Sequence, residues 1–279
     1  MIPSREYTTY LIDIEGVLVR DKRYEPVDGS PEWFSQLTAA GTRRVLVSNN
    51  TTHTPQEIAV DLRRAGYDVT GDDIVSVLEI GADLLLSWGK TAILWLGHPR
   101  LQQWWRDRGF DVLMVDDARA NHCDAVVLGV NPELRVTDLD AAMPALMDGN
   151  AELIALHRNV FWLDDHGSRR FGPGFYAAAL AEVSRRDVVV IGKPRERIYR
   201  EALKRVGVPA QDVLFISDDP VADLVTAKSL GMGTAFVLSG KYPDHSVLER
   251  LDQDDWPDLI ADSPLDLRSG AVQDIRLEE

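Results

Sequence analysis

The chain has 279 residues and a formal net charge of −15, with 45% hydrophobic and 27% charged residues. That apolar content offsets the entropy of ordering so long a chain, as one large domain with an insertion or as two domains, and excludes a mini-protein or a disordered segment. The acidic excess opposes binding to nucleic acid or anionic lipid, and the single cysteine, Cys123, excludes an internal disulfide and a Cys-rich zinc site.

Residues 1–10 show no apolar run ahead of a small-residue cleavage site, and no stretch approaches the length of a membrane span, so a reduced, cytoplasmic protein is expected. Taken in chain order, the first predicted strand is Tyr10 to Ile14. Ser30-Pro31-Glu32 then opens a helix with Trp33, Phe34 and Leu37 inward and Gly41 as its stop. A strand at Val45 to Val47 leads through a polar loop to Thr54-Pro55-Gln56-Glu57, a capping box for a helix that stops at Gly66. Further strands are predicted at Ala92 to Leu96, Ala125 to Leu128, Val188 to Ile191, Val213 to Ile216 and Ala235 to Leu238. Pro194 opens a helix that ends before Gly207, and Asp219-Pro220 opens one that ends before Gly231, with Asp219 as its N-cap. The pair Trp104-Trp105 is expected to place one ring in the core and leave the other partly exposed.

Short apolar strands alternating with amphipathic helices predict an α/β protein with a Rossmann-like parallel sheet. Residues 1–78 and 186–262 share a steady strand-loop-helix texture, whereas 79–185 carry their own αβ elements, so the expectation is a core interrupted by an inserted α/β domain. Residues 263–279 are expected to form an acidic tail.

Four segments carry chemistry. Tyr10-Leu-Ile-Asp13-Ile-Glu15-Gly16 runs an apolar strand into two carboxylates, at the strand end where ligands of parallel sheets bind, and Gly16 permits a sharp turn. Val47-Ser48-Asn49-Asn50-Thr51-Thr52 ends a second strand in hydroxyl and amide groups suited to a phosphate; a polar loop and N-cap is the structural alternative. Ile191-Gly192-Lys193-Pro194 sets a lysine between a strand and a helix start. Ile216-Ser217-Asp218-Asp219 ends a further strand in acids, with Asp223 a helical turn later. The six histidines show no paired metal-ligand spacing.

In this order the four segments resemble the haloacid dehalogenase superfamily of phosphotransferases, over residues 7 to 262. Gly66-Tyr-Asp-Val-Thr, Ala155-Leu-His-Arg-Asn159 and Gly172-Pro-Gly174 look like the subclass with a large inserted cap, which contains phospholysine phosphohistidine inorganic pyrophosphate phosphatase and the NagD-type phosphatases. The resemblance implies a phosphatase of a small phosphorylated metabolite, with Asp13 as nucleophile and Glu15 as general acid and base. It further implies Ser48, Asn49 and Lys193 on the phosphoryl oxygens, and Mg²⁺ held by Asp13, the Glu15 carbonyl and Asp218. Asp223 would be a supporting residue. Relatives with this cap are often homodimers, which leaves monomer and homodimer both open.

Two positions depart from the family pattern. Glu15 stands where Asp is usual, about 1.5 Å longer in reach, although free carboxyl pKa values of about 3.9 for Asp and about 4.3 for Glu make acidity nearly equal. Ser217 stands where Gly is usual. Both motivate an alternative, a phospho-ligand binding protein that keeps the fold but has lost turnover.

Overall fold

The computed structural model describes residues 7–20, 23–163 and 168–269; His166 and the tail from residue 270 lie outside them. In chain order the strands are β1 (Thr9–Asp13), β2 (Arg43–Ser48), β3 (Ile74–Ser76), β4 (Ala92–Leu96), β5 (Asp111–Leu113), β6 (Ala125–Leu128) and β7 (Glu152–Ala155). They continue as β8 (Phe161–Leu163), β9 (Arg169–Phe171), β10 (Val188–Val190), β11 (Val213–Ser217), β12 (Gly233–Val237) and β13 (Leu259–Ala261).

Over the described residues the chain divides into two compact units, one within Met1–Ser48, Pro55–Val75 and Pro194–Glu279, the other Asn49–Thr54 and Ser76–Lys193. The first, the core unit, holds a sheet of order β13-β12-β11-β1-β2-β3. Parallel pairs link β13, β12, β11, β1 and β2. Its apolar strand residues Ile12, Leu46, Ile216 and Val237 pack with Trp33, Phe34 and Leu37 of helix Ser30–Ala39 and with Ile58 and Leu62 of helix Pro55–Arg64. Each such side chain contributes about 1.5–3 kcal/mol through burial. The prolines at the starts of both helices sit where a missing N–H costs nothing.

The second unit, the cap, holds a parallel sheet of order β10-β7-β6-β4-β5. Leu94, Val126 and Leu153 from its strands pack with Tyr176, Ala177 and Leu180 of helix Pro173–Ser184. A separate antiparallel pair joins β8 and β9.

Several expectations change. The strand at 188–190, expected in the core, pairs with β7 of the cap, because an apolar run specifies a strand without specifying its neighbour. The cap accordingly runs to Lys193 instead of 185, begins at Ser76 instead of 79, and also takes in Asn49–Thr54. Trp104 and Trp105 are both buried, at 8% and 0% exposure, because the Arg108 guanidinium lies over the Trp104 ring, 3.7 Å from its centroid. The helix after Asp219 begins as a π-helical turn, Pro220–Leu224, before the α-helix Val225–Ser229. A short helix, Asp266–Ser269, occupies the start of the expected tail. Among the described residues no helix is long and apolar enough to cross a membrane.

Candidate active site

The order of the core strands places β1 at the point where the chain reverses direction across the sheet, passing to β2 and β3 on one side and later to β11 on the other. A crevice opens at the carboxyl ends of such strands, and ligands of open α/β sheets bind there. Register fixes what lines it. Asp13 is level with Val47, the residue before Ser48, and Ile12 is level with Ile216, so Asp13, Ser48, Ser217 and Asp218 leave adjacent strands within a residue or two of one height.

The strand ends at Asp13, and the chain bends at Ile14, whose N–H donates to Asp13 Oδ1 at 2.8 Å. Glu15 follows past the strand end on an exposed position, bridged to Val19. Gly16 has φ +81°, and a Cβ built on it would lie 1.9 Å from Asp218 Oδ2. Only glycine fits both constraints. Gly240 packs on the same carboxylate, where a Cβ would meet Asp218 Oδ2 at 2.0 Å.

Asp218 is 8% exposed, and its Oδ2 accepts from the Lys241 main-chain N–H at 2.6 Å. Ser217 is fully buried and donates from Oγ to Asp223 Oδ2 at 2.7 Å, while that Oγ accepts from the Asp219 N–H at 3.1 Å. Ser217 thus orients the Asp223 carboxylate. Asp219 caps the following turn through Oδ1, which accepts from the Ala222 N–H at 3.0 Å, in agreement with its expected N-cap role. Tyr199, from helix Glu196–Val206, donates to the Asp223 carbonyl at 3.0 Å. Burial first, and then the negative charges of Asp223, Asp13 and Asp219, push its hydroxyl far above the ordinary tyrosine range.

Sequence reasoning missed Lys241. Its Nζ pairs with Asp219 Oδ2 at 2.6 Å; burial acts to lower its pKa, and the hydrogen bond to Asp219 with that residue's charge outweighs burial, so the net shift is upward. The available signal was Ser239-Gly240-Lys241, a glycine and a cation directly after the carboxyl end of an apolar strand.

Asn49 and Lys193 belong to the cap, where they meet each other. Asn49 Oδ1 accepts from the Lys193 N–H at 2.9 Å, and its Nδ2 donates to the Lys193 carbonyl at 3.2 Å. The Asn49 amide therefore pins the main chain of Lys193, whose side chain is buried at 5% exposure. Nearby, the Thr51 hydroxyl accepts from the Val130 N–H at 2.9 Å, and Arg100 hydrogen-bonds His53 at 3.0 Å. The loop after Ser48 is thus fastened to the cap strand ends.

Among the described residues no three His, Cys, Asp or Glu side chains form a ready metal cage. Two carboxylates, Asp13 and Asp218, instead stand at the ends of the adjoining strands β1 and β11, and carboxylates are hard oxygen donors. That set suits Mg²⁺, which keeps waters and takes substrate phosphate for its remaining positions.

Comparison with known proteins places the chain among hydrolases. A sequence model of haloacid dehalogenase-like hydrolases matches residues 10–111, and a second, of HAD-hydrolase-like proteins, matches residues 190–267. Human haloacid dehalogenase-like hydrolase domain-containing protein 2 is 28% identical over 243 residues, 87% of this chain and 88% of that protein. The p-nitrophenyl phosphatase from Archaeoglobus fulgidus superposes with a TM-score of 0.82 at 26% identity, covering 95% of this chain and 100% of the other. A glycerol phosphate phosphatase from Mycobacterium tuberculosis, solved in complex with calcium, gives 0.78 at 25% identity, covering 94% of this chain and 74% of the other.

Proposed function

The chain belongs to the haloacid dehalogenase-like hydrolases and is of their phosphatase type, and from that premise we propose that it is a Mg²⁺-dependent phosphatase of a small phosphorylated molecule, working through an aspartyl-phosphate on Asp13. The observation that carries this reading is the register that sets Asp13 level with the residue before Ser48, in the crevice where Asp218 also emerges.

In this reading Asp13 attacks phosphorus, and the bond from phosphorus to the leaving oxygen breaks as Glu15 gives that oxygen a proton. Glu15 then takes a proton from water as the water attacks the aspartyl-phosphate, which frees phosphate and restores the Asp13 carboxylate. The exposed position of Glu15 leaves its side chain free to reach the leaving group. Ser48 and Lys193 bind the phosphoryl oxygens, and Asn49 fixes the Lys193 main chain. Ser217 holds Asp223 in a supporting role. Mg²⁺, held by Asp13, Asp218 and the Glu15 carbonyl, would offset the repulsion between carboxylate and phosphate dianion.

The test is phosphate release from a panel of small phosphate esters and pyrophosphate, with and without Mg²⁺, run beside Asp13→Asn. Release that requires both the ion and Asp13 supports the reading. Tight binding of phosphorylated compounds with no release, at saturating Mg²⁺, would instead make the chain a phospho-ligand binding protein.

A further inference from the structure

The ends of β1 and β11 gather the carboxylates of Asp13, Asp218, Asp219 and Asp223, two of them, Asp218 and Asp223, buried at 8% and 3% exposure. The Lys241 ammonium is tied directly to one of them. Lys241 Nζ lies 2.6 Å from Asp219 Oδ2, and the Asp219 side chain is only 13% exposed. The other oxygen of Asp219 accepts from the Ala222 N–H, so the carboxylate is clamped and its partner ammonium is held beside the acidic edge.

The main chain of the same residue has a separate task. The Lys241 N–H binds Asp218 Oδ2, the Ser239 hydroxyl donates to the Gly16 carbonyl at 2.7 Å, and Gly240 packs on Asp218. These contacts fix the strap 239–241 without help from the lysine side chain. A substitution at 241 can therefore remove the charge and leave the fastening.

Resting on the metal reading above, we propose that Lys241 is a positioning residue that serves as a built-in counter-cation of this edge. Without a divalent ion its ammonium offsets the mutual repulsion of the carboxylates and holds Asp219 in place. When the ion binds, the same charge opposes it, so the edge binds the ion more weakly than its carboxylates alone would. The result is a site that stays folded when empty and does not hold its ion irreversibly.

Lys241→Met in the full chain, with Lys241→Arg as the conservative control, separates this from an incidental surface pair. Titration calorimetry with Mg²⁺ is expected to give roughly three- to tenfold tighter binding for K241M than for the parent protein. In metal-free buffer of low ionic strength K241M is expected to melt about 2–4 °C lower, a gap that closes at high salt. K241R restores both values. Lys241→Gln, which keeps a polar side chain, takes the place of K241M if the latter does not fold. Parent-like Mg²⁺ affinity together with parent-like metal-free melting in K241M overturns the inference and leaves the phosphatase reading standing. A parent protein that binds no Mg²⁺ overturns the metal reading, and this inference falls with it.

Discussion

At the carboxyl edge of the core sheet the chain leaves its strands through Asp13, Ser48 and Asp218; at the carboxyl edge of the cap sheet it leaves through Gly97-His98, Gly129-Val130, Leu156-His157 and Gly192-Lys193. Both edges are built the same way, from parallel strands of three to six residues in these positions, yet one is rich in carboxylates and the other is packed. In the cap the glycines make room: a Cβ on Gly97 would lie 2.1 Å from the Trp95 ring, and one on Gly192 would lie 2.3 Å from Asn49 Oδ1. The side chains there hold a loop in place. In the core, glycines make room for a carboxylate, Asp218. Strand geometry thus supplies the edge, and the residues just past each strand decide whether it gathers carboxylates or fastens a loop.

Substitutions on the two edges sharpen this contrast. Glu15→Gln removes the proposed proton donor and is expected to lower kcat by about 10²- to 10⁴-fold without lowering the melting temperature, since the side chain is exposed. Steady-state rates across a pH series check it, and parent-like rates would refute the assignment. Next comes Gly16→Ala, whose methyl overlaps the Asp218 carboxylate and whose backbone is left-handed. Displacement of that acid by about 1 Å is expected to lower turnover by about 10²-fold, with a weaker response to Mg²⁺ in a thermal-shift assay.

On the cap edge the expected effects move from rate to stability. Thr51→Val leaves the buried Val130 N–H without its partner and should cost about 1–3 kcal/mol in urea denaturation. The smallest effect belongs to Cys123, buried in the cap core, whose thiol burial pushes up from 9.0 to about 11. Between those two pH values the unfolded chain loses the thiol proton and the folded chain keeps it, so stability present below pH 9 is lost as pH rises toward 11. Cys123→Ala should flatten that decline, measured as the melting temperature from pH 8 to 10.5, and native Cys123 should resist alkylation at pH 8.

Much of the core edge was legible because its signals are local. An apolar run followed by an acid marks a strand end, which located Asp13 and Asp218, and prolines at Pro31 and Pro55 marked helix starts. What escaped depends on residues far apart in the chain. Lys241 acquires its partners only because β12 lies beside β11, and the role of Gly16 depends on a carboxylate two hundred positions later. The three-residue strands β3 and β5 are too short for alternation to show. Ser217 read as a departure from a pattern; its partnership with Asp223 needed the turn of the π-helical segment between them.

The strand order also governs how the molecule is made. β1 pairs with β2 on one side, but its other edge waits for β11, with Thr9 opposite Val213. All five strands of the cap sheet lie between residues 92 and 190. A chain emerging from the ribosome can therefore finish the cap sheet while the central strand of the core still shows one open edge. Open edges template pairing with other chains, so chains that stall or are cut before Val213 should aggregate through β1, and the inserted cap lengthens the time over which each new molecule runs that risk.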